Sequence, residues 1–150
     1  MKKLIVLIMM VVMALSVGGC GGNEAIVPKE DYKFTAKEFV DDCIENHGDE
    51  IIKSLKASLQ LYKGKRIELK GGVFSNSNNG DLVLLSGGQR GNGVAVVRLS
   101  FRNVEDRKRF KEKDYVKISA RFNNLDFKTV GDDSGALLFD FDDAIFMNKL

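Results

Sequence analysis

At Arg66 the hydrophobic period of the chain changes, and nothing else in the sequence constrains the fold as strongly. Before that point Ala36, Phe39, Val40, Cys43 and Ile44 recur at helical spacing, and so do Ile51, Ile52, Leu55, Leu59 and Tyr62. After it apolar and polar residues alternate, with Ile67, Leu69 and Val73 on one side and Arg66, Glu68 and Lys70 on the other. Successive strand residues point to opposite faces, so this alternation predicts a strand with one buried and one wet face. Helical material therefore precedes everything that is sheet.

Punctuation supports the division. Thr35-Ala36-Lys37-Glu38 has the form of a capping box and predicts a helix start, and Asn46-His47-Gly48 predicts a break before the second helix. Asn78-Asn79-Gly80-Asp81 is hairpin-turn chemistry, with Leu82 to Leu85 as the returning strand. A glycine-rich loop, Gly87 to Gly93, leads to a third strand, Val94 to Phe101, with Ala95, Val97, Leu99 and Phe101 facing inward. Asn103 is a candidate N-cap for a short charged helix ending near Phe110. Tyr115 to Phe122 alternates again, and a polar loop containing Gly131-Asp132-Asp133-Ser134-Gly135 precedes a last strand, Leu137 to Met147.

Five strands with a helix between the third and fourth is the order of the OB-fold, a small Greek-key β-barrel whose closure hides its sheet edges. The expected class is mainly β, with an N-terminal helical segment. At 150 residues, 44% of them apolar, the chain has material for one domain and a real core.

Two stretches carry a family resemblance: Leu61-Tyr62-Lys63-Gly64-Lys65-Arg66-Ile67-Glu68-Leu69-Lys70-Gly71-Gly72-Val73, and Phe110 through Phe122. Both resemble the tRNA_anti-like family of OB-fold proteins, in particular its small secreted and lipoprotein members. The resemblance spans about residues 34 to 147 and rests on a strand start and a strand entry. It implies a fold and transfers no catalytic or binding residue. Where the family commonly has glycine this chain has Ala120, which bears on strand curvature alone.

The N-terminus has its own pattern. Lys2 and Lys3 precede an unbroken apolar run, Leu4 to Leu15, and small residues Ser16 to Gly19 follow. This reads as a secretory signal, because the run is shorter than the roughly 20 residues a spanning helix needs. Val17-Gly18-Gly19-Cys20 resembles the bacterial lipobox, in which the cysteine is lipid-modified and becomes the new N-terminus. The expected organisation is a signal peptide over 1–19, a lipidated N-terminus and flexible tether over 20–33, and the OB-fold domain over 34–150. Each buried CH₂ of an acyl chain adds about 0.8 kcal/mol to anchoring. With Cys20 acylated, only Cys43 remains, on the apolar stripe of the first helix, and no internal disulfide can form.

Charge argues against a nucleic-acid partner. Removing Lys2 and Lys3 from the 23 Lys and Arg leaves 21, against 21 Asp and Glu, so the mature chain has no surplus to neutralise phosphates. Outward strand positions show no aromatic platform, with Phe74 and Phe101 assigned to the core side or a strand end. Arg66, Lys70, Arg98 and Arg121 offer at most a modest basic patch for phosphates or lipid headgroups, and a solvated sheet face is the simpler reading. Asp140, Asp142 and Asp143, with Asp132 and Asp133, form an acidic cluster that matches no calcium loop, so no metal is expected. The glycine run Ser86 to Gly93 lacks a Gly-Lys-Ser/Thr ending and leads into a strand, so no nucleotide cofactor is expected either.

His47, the lone histidine, falls where a helix ends, and a dyad with Cys43 would need a cysteine that points away from the core. These features lead to an expectation of a non-enzymatic, monomeric module, lipid-anchored to a membrane outside the cytoplasm and binding an envelope protein. The alternative is a binder of nucleic acid or another anionic ligand through the basic positions.

Overall fold

The computed structural model describes residues 27–76, 82–91, 93–130 and 134–150. The signal peptide, Cys20, the turn Asn78 to Asp81 and Gly131 to Asp133 lie outside the described residues. The chain runs β1 (Tyr32–Thr35), α1 (Ala36–Glu45), α2 (Ile51–Tyr62), β2 (Arg66–Asn76), β3 (Leu82–Arg90), β4 (Gly93–Phe101), a 3-10 turn (Val104–Arg109), β5 (Tyr115–Val130) and β6 (Ser134–Lys149).

Helix α1 starts as its sequence dictates. The Thr35 hydroxyl accepts from the Glu38 amide at 3.0 Å and the Glu38 carboxylate accepts from the Thr35 amide at 2.8 Å, so two otherwise orphaned donors are satisfied. Its apolar stripe, Ala36, Phe39, Val40, Cys43 and Ile44, is buried throughout. Helix α2 departs from expectation: Ile51 and Ile52 are 58% and 66% exposed, and Ser54 and Ser58 are buried in their place. The Ser54 hydroxyl donates to the Cys43 carbonyl at 2.7 Å, and the Ser58 hydroxyl lies 3.2 Å from the same oxygen. That carbonyl belongs to the last turn of α1, where helix carbonyls lack partners, so hydrogen bonding rather than hydrophobicity sets the rotation of α2.

The barrel closes around five strands. β2, β3 and β4 form an antiparallel meander, β4 pairs in parallel with β6, β6 is antiparallel to β5, and β5 returns to β2. With the 3-10 turn lying between β4 and β5, this is the OB-fold topology. Phe39 of α1 plugs one end, its ring 5.4 Å from Phe122, 5.8 Å from Phe139 and 5.3 Å from Phe141. Phe110, just past the 3-10 turn, fills the other, 5.8 Å from Phe101 and 5.2 Å from Phe146.

Three boundaries differ from the sequence reading. Tyr32 and Lys33, assigned to the tether, belong to β1, which pairs in parallel with Ile67 to Lys70 of β2. The Tyr32 ring is held 5.0 Å from Tyr62, and a four-residue strand is too short to reveal its period. Gly87 and Gly88 lie within β3, at a register shift between Ser86 and Gln89, rather than in a loop. A β-carbon on Gly87 would meet Val40 at 2.8 Å and the Ala95 carbonyl at 2.9 Å, so glycine lets α1 close over the bulge. Finally, β5 continues to Val130 and β6 starts at Ser134, where a polar loop is expected from the sequence. Phe127 pairs with Leu137 across that hairpin, and polar neighbours mask the pattern.

Candidate functional site

The three arginines of the basic patch turn out to be partners of Asp140, Asp142 and Asp143 of the acidic cluster. Arg98 and Asp140 are directly opposed across β4 and β6, and two guanidinium nitrogens of Arg98 bond the Asp140 carboxylate. Arg121 and Asp142 are opposed across β5 and β6, with the Arg121 Nε donating at 2.8 Å. Asp140 and Asp142 thus share a strand but serve opposite neighbours. Among the described residues no group of three or more His, Cys, Asp or Glu is arranged to hold a metal ion.

Asp143 is the node of the network. It has φ of 51°, a left-handed conformation that aspartate tolerates better than most residues, and it sits where β6 loses register with both β4 and β5. Arg102 grips its carboxylate through two bonds of 2.6 and 2.7 Å, and Arg66 donates to both its carboxylate and its backbone carbonyl. The Arg102 hydrogen bonds hold the Asp143 carboxyl below the usual carboxylate range, against the opposing effect of burial.

Arg66 needs correction. The alternation placed it on a wet face with Glu68, yet they are 8% and 5% exposed. Arg66 also donates to the buried Ser119 hydroxyl at 3.2 Å, and Glu68 lies between Lys33 at 3.7 Å and Lys117 at 3.9 Å. Buried side chains with fixed partners are not free to receive a ligand. Of the four basic candidates, Lys70 alone makes no ion pair among the described residues.

The nucleophile candidates are engaged too. Burial pushes the Cys43 thiol up to about 12, and the side chain is 1% exposed. His47 Nε2 lies 2.6 Å from Asp42, which also accepts from Tyr62 at 2.5 Å and from Asn46 at 2.9 Å. Burial acts to raise the Asp42 carboxyl, but hydrogen bonds from Tyr62, Asn46 and His47 outweigh it and hold the group low. The network ties α1 to α2, and the Cys43–His47 dyad does not form.

One surface was missed. Phe74 and Tyr115 are 66% and 44% exposed, and counting by two from Lys70 puts Gly72 and Phe74 on the outer face of β2. Tyr115 is opposed to Gly72 and Lys117 to Lys70, so all five share one face of the β2–β5 pair. That alternation was the available signal.

Comparison with known proteins adds little to this geometry. No family model matches the chain, and no curated protein matches it. Among solved structures it is similar to an asparaginyl-tRNA synthetase of Entamoeba histolytica in complex with asparaginyl-adenylate, at 15% identity and a TM-score of 0.35. The match covers 59% of this chain and 22% of the synthetase chain, so the OB-fold assignment stands on strand order and barrel closure.

Proposed function

We propose that the chain is a bacterial lipoprotein, held through Cys20 on a membrane facing away from the cytoplasm, whose OB-fold barrel is a non-catalytic binding module. The anchor reading rests on Val17-Gly18-Gly19-Cys20 directly after the apolar run. The binding reading is carried by the contrast between engaged and unengaged groups. Cys43, His47 and the Arg–Asp pairs are committed to the fold, whereas on the outer barrel face Lys70 makes no ion pair and the exposed Phe74 and Tyr115 make no ring contact among the described residues. The alternative, a binder of nucleic acid or another anionic ligand through Arg66, Lys70, Arg98 and Arg121, loses support because carboxylates neutralise the three arginines and leave Lys70 as the single member without an ion pair among the described residues.

The test is in-cell crosslinking of the full chain beside a Cys20→Ser form, with mass spectrometry of captured proteins and of the N-terminal peptide. An acylated Cys20 and one envelope protein captured only when Cys20 is intact support the proposal. An unmodified cysteine, or capture that ignores the substitution, overturns the anchored reading.

A further inference from the structure

The barrel uses the two halves of β5 differently. From Tyr115 to Arg121 the strand has β2 along one edge, and Phe122 ends that side by donating to the Lys65 carbonyl at 3.0 Å and accepting from the Gly64 amide at 2.8 Å. From Asn123 to Val130 it continues beside β6, but its other edge has no backbone partner among the described residues. An unpaired strand edge is a template for another strand, and proteins blunt it with proline, short length or repelling charges. This stretch contains no proline and runs well past the end of β2 pairing.

Its charges are disposed by symmetry. Asp126 and Lys128 flank Phe127, lie two apart on one face of the strand, and make no ion pair among the described residues. The Asp126 carboxylate instead accepts from the Phe127 amide at 2.8 Å, which gives that donor a partner within its own strand. Phe127 itself is 61% exposed and meets no other ring among the described residues. Its ring is seated on the hairpin, because a β-carbon on Gly135 would come within 2.7 Å of it, so the ring is placed without being covered.

From this pattern we infer that two copies of the chain pair antiparallel along their β5 edges, about a two-fold axis at Phe127. Each Asp126 then opposes Lys128 of the second copy, and the two Phe127 rings form a cross-strand aromatic pair. The Phe127 amide turns to the second copy's backbone, which frees the Asp126 carboxylate for the lysine. The same charges fix the register. An axis at Asp126 or at Lys128 sets like against like, and so does parallel pairing in register. A strand of another protein would need an Asp-x-Lys order of its own, whereas a second copy already carries it. The inference goes beyond the tethered module, does not depend on acylation of Cys20, and replaces the monomer expected from the sequence.

The test is sedimentation equilibrium of the full chain in a density-matched detergent, for the parent, Asp126→Lys, Lys128→Asp and the double variant that exchanges the two charges. The parent is expected to dimerise. Each single reversal sets like charges opposite each other twice per dimer, and should weaken association about tenfold or more with the melting transition retained. The exchange restores opposite signs at both positions and should recover the parent's association to within about threefold. A parent that stays monomeric at about 1 mM overturns the inference. So does a dimer indifferent to the single reversals, which would be held elsewhere on the chain, or an exchanged chain that associates no better than the single variants.

Discussion

Two patches of charge on the same barrel are built on opposite rules. Along β6, Asp140, Asp142 and Asp143 each meet an arginine of a neighbouring strand or strand end, so charge is matched by register. On the β2–β5 face, Lys70 meets Lys117, and the aromatic rings beside them meet no other ring. The first arrangement stabilises one strand pairing over its one-residue slips, since a slip would send each aspartate to the wrong face. The second gives up a little stability, since Lys117 has only the Glu68 carboxylate that it shares with Lys33.

The sharpest way to break that comparison is at Arg66. Arg66→Ala leaves the Asp143 carbonyl and the Ser119 hydroxyl without that donor in a largely buried setting, while Arg102 still holds the Asp143 carboxylate. A loss of about 2–3 kcal/mol in urea unfolding is expected, because buried polar groups left unsatisfied cost about 1–3 kcal/mol. A loss below about 1 kcal/mol would place the network among ordinary surface pairs.

Acid should act on the β6 patch through Asp143. Its carboxyl is held below the ordinary value of about 3.9, so the stability it contributes is fully present above that pH and is lost as pH falls through the lower folded-state value. Asp143→Asn, which retains a residue tolerant of positive φ, should be less stable than the parent at neutral pH and show a shallower loss in acid. Thermal melting of both chains from pH 6 to pH 2 checks this, and parallel acid limbs would remove Asp143 from the account.

The neighbouring glycines give a smaller effect with a sign. Gly71→Ala must displace Ala36 of α1 and should cost about 1–3 kcal/mol, as overpacking does. Gly72→Ala meets open space and should raise stability by about 0.5–1 kcal/mol, the amount by which strand glycine falls short of alanine. Two losses of equal size would mean that the space over Gly72 is not open in solution.

Legibility in the sequence followed the same division. Alternation along Ile67 to Val73, Ala95 to Phe101 and Val116 to Phe122 is a local signal, and with the capping box at Thr35 it was enough to reach the OB-fold. Pairing of Arg98 with Asp140 spans 42 residues and depends on register, which bulges shift by one and composition does not encode. The basic patch and the acidic cluster were therefore both visible, and their mutual cancellation was not. The β2–β5 face was legible in part: counting by two from Lys70 reaches Gly72 and Phe74, but their exposure depends on β5 arriving with Tyr115 rather than a covering helix. The burial of Arg66 and Glu68 was hidden for the converse reason, since one face of a strand is wet only where nothing else lies on it.

The smallest effect tests the comparison most directly, because one chemical change should have opposite signs on the two patches. Arg98→Gln removes a cation whose two nitrogens bond Asp140, and should lower stability by about 1 kcal/mol at low salt. Lys70→Gln removes a cation opposed to Lys117, and should raise stability by about 0.2–1 kcal/mol, the range for cross-strand pairs. Screening sharpens the difference: added salt should shrink the Lys70→Gln gain toward zero, because its origin is repulsion between partly exposed charges. The less exposed Arg98 pair should respond less. If both variants lose stability, Lys70 has a partner that supports the fold, and the contrast between the two patches loses its energetic basis.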